Sequence, residues 1–455
     1  MKNIIIPIQV KKREFFSKLL ITYALLKNDD KSTSVFIGNY KKLQNTIYKC
    51  SKQNFVYLLN GINHYQDFYK KINELNGAVH LLEEEGNIFT ITNENKFKEA
   101  EEMYSYLKYI DRVYAWSDSH KNRWLKYNKN LTFKVKVTGN PRFDISKEKF
   151  LKKKEKKYVL VNTLFAGVNA IVNLESEKKY KDFMKRAFKE MNLGIKGHQI
   201  RPIAEEEKLY NLFIEDIKKL ATKKKKLKFL LRPHPAENPN TYKKIFENFQ
   251  NVKVDETISI LEALEQAILT IHPGCTTAIE AYFSKVNSIC HTPVLDKNNI
   301  QVLPYKLSFK SKNLEELEML TDDILNNNKK DFSKSEEIKK YIDNVDYFSF
   351  DKIAEGLKDY ELKNDSNYLK RVKYKFLDHK SFITSSVIDF LKKIFSKNYK
   401  HMKTEQIIRE KLKIPYLNEN EIIDYLQHLN KIFNTNYQYN VIKETDQVFR
   451  IGLKI

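Results

Sequence analysis

Paired cysteines, membrane-length apolar runs and internal repeats are all missing from this chain of 455 residues, and each absence closes off a class of protein. Its three cysteines, Cys50, Cys275 and Cys290, show no paired spacing and no Cys-x-x-Cys. That argues against a disulfide framework or a zinc ribbon and fits a reducing cytoplasm. The opening apolar run, IIIPI, is only five residues long, too short for the core of a signal peptide, and it reads as a first strand. No stretch approaches the roughly 18 apolar residues that a membrane-spanning helix needs, so a soluble or peripheral protein is expected. Acidic residues are comparatively scarce, 58 against 81 Lys and Arg, for a formal charge of +23. Such a charge invites a nucleic-acid partner. The chain is, however, rich in Lys, Asn, Ile, Tyr and Phe together, as in AT-rich genomes. Its lysines are spread out, with local runs at KKKEKK (152–157) and KKKK (223–226), and no RNA-recognition signature or zinc-finger spacing is present. No nucleic-acid partner is expected.

What is there is an alternation. Strand-length apolar runs, NIIIPIQV (3–10), STSVFIGN (32–39), FVYLLN (55–60), GAVHLLE (77–83), RVYAWS (112–117) and FKVKVTGNP (133–141), are separated by helical patterns. Strands buried on both faces and joined through helices make a parallel sheet. The polar run SKEKFLKKKEKK interrupts the pattern. It restarts with YVLVNT (158–163), KFLLRPHP (228–235), NVKVDET (251–257), AILTIHPG (267–274) and VNSICHTP (286–293). The expected organisation is two doubly wound domains, residues 1–148 and 157–335, with closing helices over 336–364 and a basic appendage over 365–455. Within the appendage, SFITSSVIDFLKKIF (381–395) places Ile383, Val387, Phe390, Leu391 and Ile394 on one helical face. That face either docks on anionic lipid at the inner leaflet of a membrane or packs on the protein's own core.

In doubly wound folds ligands bind beyond the carboxyl ends of strands, where the strand order reverses, so the polar residues ending these runs are the candidates. LLRPHPAENP ends a strand with Arg232, His234 and Pro235; a histidine there can donate to a phosphate oxygen while the prolines stiffen its backbone. ILTIHPGCTTAIEAYF ends a strand at His272, turns at Gly274, and places Thr276 and Thr277 where a helix begins. A helix start attracts anions, and Glu280 one turn in can accept from ribose hydroxyls; alternatively Thr276 only caps the helix. Asn162 and Thr163 end the first strand of the second domain, as ligand contacts or as loop hydrogen-bonding residues. In the first domain, LLEEEGNIFT puts Glu83, Glu84 and Glu85 at a strand end. A carboxylate so placed can take a proton from an incoming hydroxyl; the three are otherwise a solvated turn.

VKKREFFSKLLITYALL, LEEEGNIF, VYAWSDSHKNRW, VTGNPRFDI, LVNTLFAGVN and IHPGCTTAIEA occur in the order seen in the bacterial surface carbohydrate biosynthesis protein family, and over about residues 3–300 the chain resembles it. The resemblance implies an α/β chain of the GT-B fold, two Rossmann-like domains facing across a cleft. It implies a glycosyltransferase similar to Kdo transferases and to sialyltransferases that use CMP-sugars. On that resemblance Glu84-Glu85-Gly86 matches the acidic-acidic-glycine motif whose first acid is catalytic, and His234-Pro235 matches the motif that contacts the CMP phosphate. Thr276-Thr277 matches the hydroxyl-bearing helix start. Glu83 stands where the family usually has aspartate, and Ser117 where it usually has glycine. Arg13 and Arg142, both in matched segments, are acceptor-binding candidates, Arg142 alternatively a brace for the linker.

The implied reaction moves a 2-keto acid sugar (Kdo, sialic acid or another nonulosonic acid) from CMP to a hydroxyl of a capsule, lipopolysaccharide or similar surface glycan or glycolipid. No Asp-x-Asp metal motif is present, and neither a metal nor a cofactor is expected. Two other readings stay open: a CDP-activated polyol-phosphate transferase of teichoic-acid type, and a non-catalytic membrane-associated assembly scaffold.

Overall fold

Apolar runs rich in Ile, Val, Leu and Phe become strands because β-branched and aromatic side chains fit a pleated, buried surface. The computed structural model describes residues 2–27, 32–61, 66–84, 106–127, 132–169, 203–294, 301–327, 335–361, 370–378 and 416–454. Glu85 and the amphipathic segment 381–395 lie outside the described residues. The described chain forms two units, one built from residues within 1–86, 102–144 and 342–455, the other from 145–341.

The first unit begins with β1 (Lys2–Ile8), helix α1 (Lys11–Leu26), β2 (Thr33–Asn39), β3 (Phe55–Leu59), β4 (Gly77–Leu82), β5 (Arg112–Ala115), helix α2 (Asp118–Tyr127) and β6 (Val135–Val137). These six strands pair in parallel in the order β2-β1-β3-β4-β5-β6. The chain runs outward from β1 to β2, then starts again on the other side with β3. The strand order therefore reverses between β1 and β3, and the crevice for a ligand lies at their carboxyl ends.

The second unit has β7 (Tyr158–Asn162), β8 (Phe229–Arg232), β9 (Val252–Val254), β10 (Ala267–His272), helix α3 (Thr277–Phe283), β11 (Asn287–His291) and β12 (Phe309–Ser311). All pair in parallel in the order β12-β11-β10-β7-β8-β9. This is the 3-2-1-4-5-6 order of a dinucleotide-type Rossmann sheet, with its switch point between β7 and β10. The long helix Ile203–Lys223 covers one face through Phe213 and Ile217, both fully buried.

The tail departs from the expected appendage. Helix α4 (Ser349–Lys358) and helix α5 (Glu419–Phe433) belong to the first unit, and β13 (Tyr439–Thr445) and β14 (Val448–Leu453) extend its sheet antiparallel beyond β2. The physical reason is the edge that β2 would otherwise expose, an apolar strand with unpaired backbone groups. β14 covers it, and Gly38 permits the approach: a Cβ there would sit 2.3 Å from the Gln447 carbonyl oxygen. α5 packs on α1 through Phe16 against Tyr425 at 4.6 Å and Tyr23 against Phe433 at 5.2 Å. Among the described residues no helix is long and apolar enough to cross a membrane.

Candidate active site

The first unit gathers charge where its strand order reverses. α1 buries twelve of its residues, Glu14 and Lys18 among them; these two stand four apart and so on one helical face. Glu14 is a hub. Its Oε2 accepts from the Gln9 N–H at 2.9 Å and from Asn60 Nδ2 at 2.9 Å, and its Oε1 accepts from Arg13 Nη2 at 2.8 Å. Burial pushes the Glu14 carboxyl up, and the charge of Glu84 adds to this, against Arg13, Lys18 and the Gln9 N–H.

Asn60, directly after β3, links this hub to the strand end of β4. Its Nδ2 also donates to the Pro7 carbonyl at 3.0 Å, and its own carbonyl accepts the N–H of Glu84 at 3.0 Å. Glu84 is 1 % exposed and forms an ion pair with the fully buried Lys18, Nζ to Oε1 at 2.6 Å. Among the described residues its second carboxylate oxygen, Oε2, accepts no hydrogen bond. A buried carboxylate oxygen left without a donor is costly, and such groups concentrate where a ligand or a reacting group completes them.

Glu83 is engaged differently. Its Oε2 lies 3.2 Å from His120 Nε2, and its carbonyl accepts from Trp116 Nε1 at 2.6 Å and Asn140 Nδ2 at 3.4 Å. His120 in turn accepts the Trp116 N–H on Nδ1 at 3.1 Å. Glu83 therefore shapes the turn that leads into Glu84. Ser117 accepts the His120 N–H on its Oγ at 3.3 Å, which a glycine there cannot do, and so helps start α2.

Arg13 directs its Nη2 to Glu14. Arg142 sits in a turn that fastens the unit to itself: its N–H goes to Asn140 Oδ1 at 2.9 Å, and its guanidinium lies 5.5 Å from the Phe143 ring. From the same turn Asp144 accepts from Asn344 Nδ2 at 2.7 Å and from the Phe350 N–H at 3.0 Å. The conformation of the VTGNPRFDI segment is thus accounted for by contacts within the unit.

In the second unit the loops after β7, β8 and β10 are held by buried polar groups. Asn162 donates to Thr270 Oγ1 at 2.9 Å, while its Oδ1 has no hydrogen-bond partner among the described residues. Thr163 accepts the His234 N–H at 3.3 Å and donates to Glu237 Oε2 at 2.6 Å. Arg232 directs its Nε to the Ile258 carbonyl at 3.0 Å. His234 is half-buried, and its Nδ1 accepts the Ala236 N–H at 3.2 Å; the neutral ring therefore carries its proton on Nε2, as a donor. Pro235 beside it is exposed.

His272 corrects the sequence reading, which places it among the nucleotide contacts. It is fully buried, with Nδ1 accepting the N–H groups of Gly274 and Cys275 at 3.0 and 3.2 Å and Nε2 bonded to Ser308 at 2.9 Å. Both ring nitrogens are spent on folding the loop, and burial pushes its pKa down to about 3. Gly274 holds φ at +97°, a conformation that costs little only for glycine. Thr276 precedes α3 without a side-chain cap bond, so the simple capping reading does not apply. Thr277 Oγ1 lies 2.6 Å from Cys275 Sγ, and Glu280 is buried in the first turn.

Glu237, three residues after His234, escapes sequence reasoning although it stands in the quoted segment. It is 1 % exposed and gathers Thr163, the Phe165 N–H and the Tyr242 hydroxyl, each at 2.6 Å. Burial pushes its pKa up to about 7 against these three donors. The folded unit therefore holds a proton that the unfolded chain has released. The resulting stability is full below the unfolded carboxyl pKa, about 4.3, and is lost as pH rises toward 7. Denaturant titrations at pH 5, 6, 7 and 8 should show the parent losing stability relative to Glu237→Gln, by at most about 1.4 kcal/mol per pH unit below 7. Parallel pH profiles would remove Glu237 from this role.

Lys18, Glu14 and Asn60 are likewise missed from sequence; the available signal is a pair of opposite charges inside the apolar α1. Among the described residues no group of three or more His, Cys, Asp or Glu side chains is placed to hold a metal ion.

No protein-family model matches the chain, and no curated protein matches it. Solved structures do. A protein of Listeria monocytogenes assigned as a UDP-N-acetylglucosamine 2-epimerase superposes with a TM-score of 0.51 at 12% identity, covering 78% of this chain and 95% of its own. A further UDP-N-acetylglucosamine 2-epimerase gives 0.50 at 12% identity, covering 80% and 98%. At such identity the likeness concerns architecture alone, and with the two sheet orders above it establishes an α/β chain of the GT-B fold, built from two Rossmann-like domains.

Proposed function

We propose that the protein is a glycosyltransferase that moves a 2-keto acid sugar from a CMP-sugar to a hydroxyl of a surface glycan, with Glu84 as the base. The observation that carries this reading is the buried Oε2 of Glu84, which has no hydrogen-bond donor among the described residues and stands at the carboxyl edge of a sheet in a fold shared with sugar-nucleotide proteins. An acceptor O–H directed at that oxygen satisfies it and aligns the proton for transfer. The acceptor oxygen then bonds to the anomeric carbon as the bond from that carbon to the CMP phosphate breaks, and the electron pair leaves on the phosphate. In the second unit the Nε2–H of His234 donates to that phosphate, with Thr276 and Thr277 contributing hydroxyls. Lys18 holds Glu84 in place through their buried ion pair.

Calorimetry with CMP, CDP and UDP tests the nucleotide, and the mass of the product formed from CMP-sugars or a CDP-polyol tests the reaction. Expected is CMP binding and a mass gain of one keto-acid sugar. His234→Ala should weaken CMP roughly tenfold, the worth of one hydrogen bond to a charged group. Preference for UDP, or a gain of one polyol phosphate, would sink the proposal.

A further inference from the structure

The first unit holds a pocket at its β1–β3 switch point, lined by Gln9, Tyr40, Gln44, Tyr57, Asn60 and Phe68 among others. In a chain of charge +23 the described residues of its wall include no Lys, Arg, Asp or Glu. A phosphate or carboxylate meets no counter-charge among these described residues.

The pocket volume, about 30 Å³, accepts one or two waters or one hydroxyl-bearing carbon. A nucleoside does not fit, nor does a whole sugar ring; a single hydroxylated arm does. Gln9, Tyr40, Gln44 and Phe68 are each partly exposed. They offer aromatic faces and amide groups, the surfaces that a polyhydroxylated ring uses.

Asn60 adds an independent observation. It is 6 % exposed, and its Nδ2 is fixed by the Pro7 carbonyl and Glu14. Rotating the amide would set its oxygen against those two acceptors, so Oδ1 is the free end, and among the described residues that oxygen has no hydrogen-bond partner. A hydroxyl entering the pocket supplies the missing donor. The same residue's carbonyl holds the N–H of Glu84, so one asparagine serves both the pocket wall and the base.

We infer that this pocket is a subsite for one neutral sugar ring of the acceptor, its hydroxylated arm inserted against Asn60 and its ring resting on Tyr40 and Phe68. The inference rests on the transferase reading for the word acceptor, and on the pocket alone for the ligand class.

Titration by NMR, without nucleotide, of methyl glycosides of galactose, glucose and N-acetylglucosamine against those of Kdo and N-acetylneuraminic acid tests it. At least one neutral glycoside should bind and the two acidic ones should not. Gln44→Ala and Phe68→Ala, at partly exposed positions and checked for unchanged thermal unfolding, should each weaken the neutral glycoside at least several-fold. Binding of the acidic glycosides only, no binding at all, or equal binding by parent and both variants would overturn the subsite. CMP calorimetry on the same samples reports the donor reading separately. Loss of CMP binding with retained glycoside binding removes the transferase reading and leaves the sugar pocket standing.

Discussion

Glu84→Gln should abolish measurable transfer, a loss of roughly 10²–10⁴-fold in turnover from the missing base, while CMP affinity stays unchanged. The substitution keeps the side-chain volume and removes only the ability to take a proton. Glu83→Gln should keep most of the turnover, because that carboxylate is engaged with His120 while its carbonyl carries the turn through Trp116 and Asn140. Glutamine at 84 also leaves the buried Lys18 cation without its carboxylate, so instability has to be separated from lost chemistry. The double variant Lys18→Met, Glu84→Gln does so: with both charges gone it should fold well and remain inactive. If the double variant regains transfer, Glu84 is a structural residue. If Glu83→Gln is the inactive one, the base lies one position earlier.

Much of this arrangement is legible from residue types. Strands β1 to β5, β7, β8, β10 and β11 follow from largely apolar runs of four to seven residues, and β6 and β9 from a shorter Val-Lys-Val alternation; those are patterns that a single sequence carries locally. The hairpin of β13 and β14 is not legible in the same way. Its strands, YNVIKET and VFRIGL, mix polar and apolar residues without a clear period, and what selects them is the bare edge of β2, some four hundred residues earlier in the chain. Site residues divide along the same line. Glu84 and His234 stand at strand ends and are visible there. Lys18, Asn60 and Glu237 act only through partners that the fold brings to them, respectively Glu84, Glu14 and Thr163. His272 looks like a ligand residue by position, yet its burial turns it into the fastening of its own loop.

Lys18→Met should be among the most destabilising single substitutions in the first unit. Methionine matches the length of the lysine and fills its space, so packing is nearly kept and the charge is what disappears. Glu84 then stays buried with no counter-ion, beside a second buried carboxyl, Glu14, whose protonated form burial and Glu84 already favour. Breaking a buried pair from one side costs about 3–5 kcal/mol, because the remaining ion has neither water nor partner. For a unit of this size that corresponds to a fall in Tm of roughly 6–20 °C. Replacing both partners removes the stranded charge, so Lys18→Met with Glu84→Gln should recover most of the loss, and the four proteins form a double-mutant cycle whose coupling term exceeds about 2 kcal/mol. Additive effects would mean that the pair does not hold Glu84 in place. A large coupling, with activity absent in every member lacking Glu84, is the signature of an ion pair kept because it orients a base: apolar residues of equal volume would serve the fold equally well, and only the chemistry needs the carboxylate.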